Sequence, residues 1–268
     1  MILQKILRWL LSVFPAEMMQ GWRLVRPDLV LWTALSALLS VAALALPAGS
    51  EDPAPVLPAI IGLTTALVTA TLPPVLFTAA ATGGEVTWGQ VWRYLLLRAP
   101  IMLAYWILAL LVALVPAVVV GTIFSVALEG TTAEIPLSAF SAVLVFLLFA
   151  VRFSFLPFLA ILHERGQIAE ALWNVPRAPR LGIFAWPLVA SARLTETVRW
   201  RLTPYVLLIG IVPNLPRMAG TTLQLPAELL CQILALTVQG VLYTYFRAQA
   251  QALGLPAAVL IEAERPLQ

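Results

Sequence analysis

Long apolar runs, separated by short groups of charged residues, dominate the hydrophobic pattern of this chain. A membrane-crossing helix needs about 20 apolar residues, because each residue advances a helix by about 1.5 Å through a hydrocarbon layer of about 30 Å. Six intervals between charges approach or exceed this length, and we predict one span in each: 29–50, 53–84, 98–129, 135–162, 202–216 and 229–246. The fifth interval is the shortest, and it crosses only if residues 218–226 contribute.

Two further segments have helical patterns but are too short or too polar to cross. Residues 1–14 place four polar side chains on one face, which is typical of an interfacial amphipathic helix that ends at Phe14 and Pro15. Residues 15–28 are then a lead-in to the first span. Residues 181–192 are apolar but too short for a crossing, so we expect an interfacial or re-entrant segment there.

Composition supports a membrane protein. Hydrophobic residues make up 61% of the 268 residues and charged residues only 11%, with a mean hydropathy of +0.95. Soluble domains have roughly 45–50% apolar and about 25% charged residues. This difference excludes an ordinary soluble enzyme. The formal net charge of +3 is too small to favour a nucleic-acid partner, and a single cysteine excludes an intramolecular disulfide.

The placement of charges predicts an orientation. Lys and Arg concentrate in cytoplasmic loops close to a span. If the N-terminus is cytoplasmic, 15 of the 16 basic residues lie on the cytoplasmic side of the membrane, and Arg217 alone lies on the outer side. We therefore predict an all-α polytopic membrane protein with six transmembrane helices, an N-terminal interfacial helix and both termini in the cytoplasm. It forms a single domain, with residues 1–28 leading into a bundle over 29–247, a cytoplasmic loop at 163–201 and a cytoplasmic tail at 248–268.

The sequence contains few residues that could catalyse a reaction or bind a metal. His163 is the only histidine, and the sequence contains neither a Gly-x-Ser-x-Gly nucleophile motif nor a Gly-x-x-x-x-Gly-Lys phosphate loop. A two-histidine zinc motif is excluded, and a solvated helix end accounts for His163. We predict a chain that is not an enzyme and that holds no metal or cofactor.

Arginine and tryptophan residues are enriched between positions 152 and 201. Arginine binds phosphate oxygens in a bidentate manner, and tryptophan favours the headgroup level of a bilayer. These residues predict contact with lipid headgroups; setting topology and anchoring helix ends is the alternative interpretation, and the two are compatible because anchoring is itself phosphate contact. The candidate headgroup-binding residues are Arg177, Arg180, Arg193, Arg199, Arg201, Trp173 and Trp200.

A second candidate site is polar and lies inside the spans. Thr64, Thr71 and Thr78 fall near one face of the second span, which Pro73 and Pro74 interrupt. They indicate either a polar path or ordinary hydroxyl bonds between packed helices. Arg152 stands in an otherwise apolar run, so its side chain either snorkels to the interface or meets a partner inside the bundle.

Several short motifs resemble the bacterial membrane domain fused to some glycerophosphodiester phosphodiesterases, and its standalone relatives. The matching segments are 86–93 (VTWGQVWR), 152–158 (RFSFLPF), 168–173 (IAEALW) and 191–194 (SARL) before Trp200. The resemblance covers about two thirds of the chain. It implies six helices, a cytoplasmic N-terminus, a bacterial inner-membrane location and no catalytic residues, because the phosphodiesterase chemistry belongs to a separate domain. This chain has a longer stretch between residue 173 and Ser191.

Together these features predict a non-catalytic integral membrane protein that binds lipids, a protein partner or both within a larger membrane assembly. The alternative is a permease subunit of a solute transporter that works with an ATP-hydrolysing partner. Residues 170–172 (EAL) begin the cytoplasmic helix motif of such permeases, but Pro176 stands where they have a glycine.

Overall fold

The computed structural model describes residues 12–45, 72–81, 87–131, 134–162, 186–212 and 224–255. These ranges contain helices and no strands, which confirms the all-α prediction. In chain order the helices are α1 (Phe14–Arg23), α2 (Pro27–Ala45), α3 (Leu72–Ala81), α4 (Trp88–Ala127), α5 (Glu134–Arg152), α6 (Leu156–Leu162), α7 (Trp186–Thr195), α8 (Arg199–Ile211) and α9 (Gln224–Ala252).

Within these ranges, three helical stretches are long and apolar enough to cross a membrane: Pro100–Ala127, Glu134–Leu162 and Leu225–Ala252. They support the prediction of a membrane protein. α2 occupies the predicted first span, and α3 is the described part of the second. α8 has 13 residues, a rise of only about 20 Å. The count of six spans therefore stays a prediction, and the predicted helix at 1–14 lies almost entirely outside the described residues.

α4 and α5 form a long antiparallel hairpin. α4 runs for 40 residues through Pro100 and Pro116, in agreement with the long third helix that the sequence predicts. Glu134 closes the turn, since its carboxylate accepts hydrogen bonds from Ser125 Oγ at 3.0 Å and from the Gly130 backbone N–H at 3.3 Å. Gly130 has a φ of 77°, a left-handed conformation that glycine adopts without steric cost.

The buried centre of the bundle includes α3, α6, most of α7 and the second half of α9. Every residue from Leu72 to Ala79 is buried, as expected for a helix that is hydrophobic on all sides. Phe158 of α6 stacks on Phe246 of α9 with ring centroids 5.3 Å apart. Phe77 of α3 lies 5.8 Å from the Tyr243 ring. Aromatic packing thus holds three non-consecutive segments together.

The segment that the sequence treats as a lead-in is a helix, and the predicted helix end at Phe14 and Pro15 is wrong. α1 begins at Phe14 and continues to Arg23, with Pro15 in its first turn. Proline is tolerated there because the first N–H groups of a helix have no partner inside the helix. α1 then packs closely against α9.

Two glycines make this close packing possible. A Cβ atom added to Gly21 would lie 2.4 Å from the Thr237 carbonyl oxygen, and one added to Gly240 would lie 2.5 Å from the Gly21 carbonyl oxygen. No real side chain fits at these distances. Small residues that let helix backbones touch are typical of helix pairs in membranes.

Candidate functional site

An open cleft of about 230 Å³ lies where the C-terminal end of α5 meets the corner between α7 and α8. Three of its lining residues are the arginines Arg152, Arg193 and Arg199. Glu196 is the one acidic residue among the described residues of the lining, and Val189 contributes an apolar wall. The cleft therefore brings together residues of both predicted sites. Arg193 and Arg199 are predicted to bind lipid headgroups, and Arg152 is predicted to belong to an interior polar site.

Local hydrogen bonds fix the shape of the cleft. Arg152 is the last residue of α5, and its carbonyl oxygen accepts hydrogen bonds from Ser191 Oγ at 2.8 Å and from Thr195 Oγ1 at 3.3 Å. The last carbonyls of a helix have no partner within the helix, so these bonds satisfy one of them. Ser191 and Thr195 lie one turn apart in α7, and both are fully buried. They hold α7 across the end of α5.

The side chain of Arg152 is exposed. A turn at residues 196–198 follows α7 and leads to Arg199 at the start of α8, so that α7 and α8 both contribute cations to the cleft. The Arg199 guanidinium carbon lies 5.5 Å from the centroid of the Trp200 ring, and Trp200 is 71% exposed.

The charges of the cleft favour an anion. The described lining contains three arginines and one glutamate, and all four residues are exposed. A guanidinium presents five N–H donors in a planar fork that matches a carboxylate or a phosphate. The arrangement can bind a small anion without any covalent chemistry.

Arg201, another predicted headgroup ligand, belongs to a different group of residues. Its positive charge acts on the Tyr245 hydroxyl. Tyr245 donates a hydrogen bond to Glu17 Oε1 of α1 at 2.5 Å, and Tyr205 donates one to Glu17 Oε2. Glu17 thus joins α1 to both α8 and α9. The sequence offers no signal for this cluster, because Glu17 lies 188 and 228 positions before its partners.

Thr78 serves helix packing in the described part of the chain. The Tyr243 hydroxyl donates to Thr78 Oγ1 at 3.0 Å, and Thr78 in turn donates to the Pro74 carbonyl oxygen at 2.8 Å. Arg247 of α9 reaches the end of α3 and donates to the Ala81 carbonyl at 3.2 Å. These bonds tie α3 to α9.

Several predicted site residues lie outside the described ranges. They are Arg177, Arg180, Trp173, Thr64 and Thr71; His163, which has no predicted role, also lies outside. Within the ranges that are described, no group of three His, Cys, Asp or Glu residues is arranged to hold a metal ion.

Comparison with protein-family models, with curated proteins and with solved structures gives no match for this chain. The resemblance drawn from its short motifs therefore stays a prediction.

Proposed function

We propose that the chain is a non-catalytic integral membrane protein that binds lipids, a protein partner or both as a component of a larger membrane assembly. One observation carries the proposal. In the most apolar 18-residue window of the Pro100–Ala127 helix, only 11% is buried inside the structure. Most of its apolar surface is therefore available for contact with lipid or with another protein.

The exposed residues on this helix are large and continuous. In its middle, five aliphatic side chains are between 51% and 59% exposed: Leu110, Leu111, Val115, Val118 and Val119. α5 has a similar outer surface, on which Phe140 is 65% exposed and Val143 61% exposed. Soluble monomers rarely expose continuous apolar patches above a few hundred Å². Lipid acyl chains, or the apolar helices of a partner, match such a surface.

The proposal includes an orientation in the bacterial inner membrane with both termini in the cytoplasm. Support comes from the sorting of basic residues along the sequence. In this orientation the turn around Gly130 lies on the outer side and the arginine-lined cleft on the inner side. Alkaline phosphatase fused after Gly130 should be active, and the same fusion after Pro176 should be inactive. Activity at Pro176 would contradict the orientation.

The decisive experiment is purification of the full chain from native membranes in a mild detergent, followed by mass spectrometry of the bound proteins and lipids. We expect the chain to stay in the membrane pellet after an alkaline carbonate wash and to co-purify with phospholipids and membrane proteins. A nucleotide-binding partner together with substrate-dependent flux in proteoliposomes would establish the permease alternative instead. Catalytic turnover that is lost in His163→Ala would establish an enzyme.

A further inference from the structure

We propose that the cleft between Arg152, Arg193 and Arg199 is a binding site for the phosphate group of an anionic membrane phospholipid. The inference rests on the proposed membrane function and adds to it a defined site, a ligand class and a position in the bilayer.

The charge of the cleft complements that of a phosphate group. Among the described residues of the lining, three arginines outnumber one carboxylate, that of Glu196, so this set has a surplus of positive formal charge. A phosphodiester carries one negative charge and a phosphomonoester between one and two, so either complements the surplus. Arg193 and Arg199 lie six positions apart on different helices, whereas Arg152 comes from a third. Donors that converge from three helices can bind separate oxygens of one phosphate.

The cleft is small in comparison with pockets that enclose a whole ligand. The volume of about 230 Å³ falls below the range of roughly 300–1,000 Å³ that is typical of pockets for whole drug-sized ligands or cofactors. It suits a phosphate and its nearest atoms. Because the cleft is open, the remainder of a larger ligand can extend away from the protein.

The depth of the cleft in the membrane distinguishes a lipid from a dissolved ligand. α5 has 19 residues, a rise of about 28 Å, close to the thickness of a hydrocarbon layer. Glu134 at the hairpin turn and Arg152 at the cleft occupy its two ends. If the turn lies at one membrane surface, the cleft lies at the opposite one, at the level of the phosphates.

Two exposed apolar side chains support this depth. Trp200 is 71% exposed beside Arg199, and Val189 in the cleft wall is 38% exposed. Tryptophan concentrates at membrane interfaces, where its ring contacts acyl chains and its N–H remains near water. A site for free phosphate alone gains nothing from this apolar margin.

The test is a binding titration of the purified full chain in a non-ionic detergent, monitored by native mass spectrometry. The added lipids are phosphatidic acid, phosphatidylglycerol and the zwitterionic phosphatidylcholine. Glycerol 3-phosphate and inorganic phosphate are the soluble probes. Wild type should bind the two anionic lipids more tightly than phosphatidylcholine, and the soluble probes much more weakly than either.

Four variants then locate the site. A basic residue near an anionic surface contributes a factor of about five in affinity, so Arg152→Gln, Arg193→Gln and Arg199→Gln should each weaken anionic-lipid binding by about that factor. Glu196→Gln removes the carboxylate that the described lining contains and should strengthen binding by about the same factor. An improvement of this kind cannot arise from misfolding, so it keeps the test informative if an arginine variant is unstable.

Arg23→Gln is the matched control. It removes an exposed arginine from the end of α1, outside the cleft, and should leave affinity within about twofold, as expected for a surface substitution. Equal anionic-lipid binding by wild type and the triple Gln variant would overturn the site while leaving the proposed function intact. Binding of glycerol 3-phosphate as tight as that of the lipids would overturn the lipid assignment.

Discussion

The α4–α5 hairpin and the α3–α6–α9 centre contain the same kinds of side chain in opposite environments. Phe140 of α5 is 65% exposed, whereas Phe77 of α3 is fully buried. The hairpin helices pack chiefly on each other, and the central segments pack on several neighbours at once. Hydrophobicity alone therefore does not identify the core of this protein. In a membrane protein it marks both the interior and the surface that faces lipid, and only tertiary contacts separate the two.

Truncation of one phenylalanine in each region should give the largest difference in stability. Phe77→Ala leaves a cavity among packed aromatic rings, and we expect a loss of about 3–5 kcal/mol in the free energy of unfolding. Phe140→Ala removes an outward-facing ring and should change stability by about 0.5 kcal/mol or less. Thermal unfolding of both variants in the same detergent measures the difference. Equal destabilisation would show that Phe140 is buried in the native assembly.

A charge on the outer surface of the hairpin tests the environment directly. Val115 is 59% exposed near the middle of the Pro100–Ala127 stretch, and Val126 is 68% exposed near its end. An arginine at the centre of a membrane helix costs about 2.5–3.5 kcal/mol on insertion scales, and near the interface it costs far less. Val115→Arg should reduce the carbonate-resistant fraction, whereas Val126→Arg should not. Full insertion of both would place the hairpin outside the hydrocarbon layer.

The contact between α1 and α9 depends on small residues rather than on large apolar ones. Gly21→Ala puts a methyl group against the Thr237 carbonyl, and we expect a loss of about 1–3 kcal/mol from overpacking. Gly210 is the control, because a Cβ there meets no atom within 4 Å. Gly210→Ala should be neutral or stabilising by up to about 1 kcal/mol through helix propensity. Thermal melting in detergent checks both values, and similar melting temperatures for the two variants would contradict this account.

Glu17 provides a further test of how α1 is held against α8 and α9. Glu17→Ala leaves the buried Tyr205 hydroxyl without its acceptor, at a cost of about 1–3 kcal/mol. Glu17→Gln retains one carbonyl acceptor and should cost less. Glu129→Ala, at an exposed position in the hairpin turn, should leave the protection of α1 against limited proteolysis unchanged. Increased cleavage in both alanine variants would show that Glu17 has no special role.

The helical class, the long α4 and the turn before Glu134 follow from the sequence, because runs of apolar residues and the charges that bound them determine where a membrane helix can begin and end. The sequence also predicts arginines at the headgroup level. It could not bring Arg152 together with Arg193 and Arg199, since that depends on Ser191 and Thr195 binding the end of α5.

Helix α1 was harder to predict for a physical reason. In the sequence Pro15 predicts the end of a helix, but the structure places it in the first turn of α1, where proline is tolerated. The partners of Glu17 and Gly21 lie more than 180 residues away. No local pattern encodes such a contact.

The central claim is that the outer surface of the hairpin faces lipid acyl chains, and spin-label accessibility tests it most directly. Cys231 is the only cysteine, so a Cys231→Ser background accepts single labels at Leu111, Val119 and Val143, with Phe77 as the buried reference. In lipid vesicles we expect high accessibility to oxygen and low accessibility to a water-soluble nickel complex at the three hairpin sites, and low accessibility to both at Phe77. High accessibility to the nickel complex along the middle of α4 would contradict it.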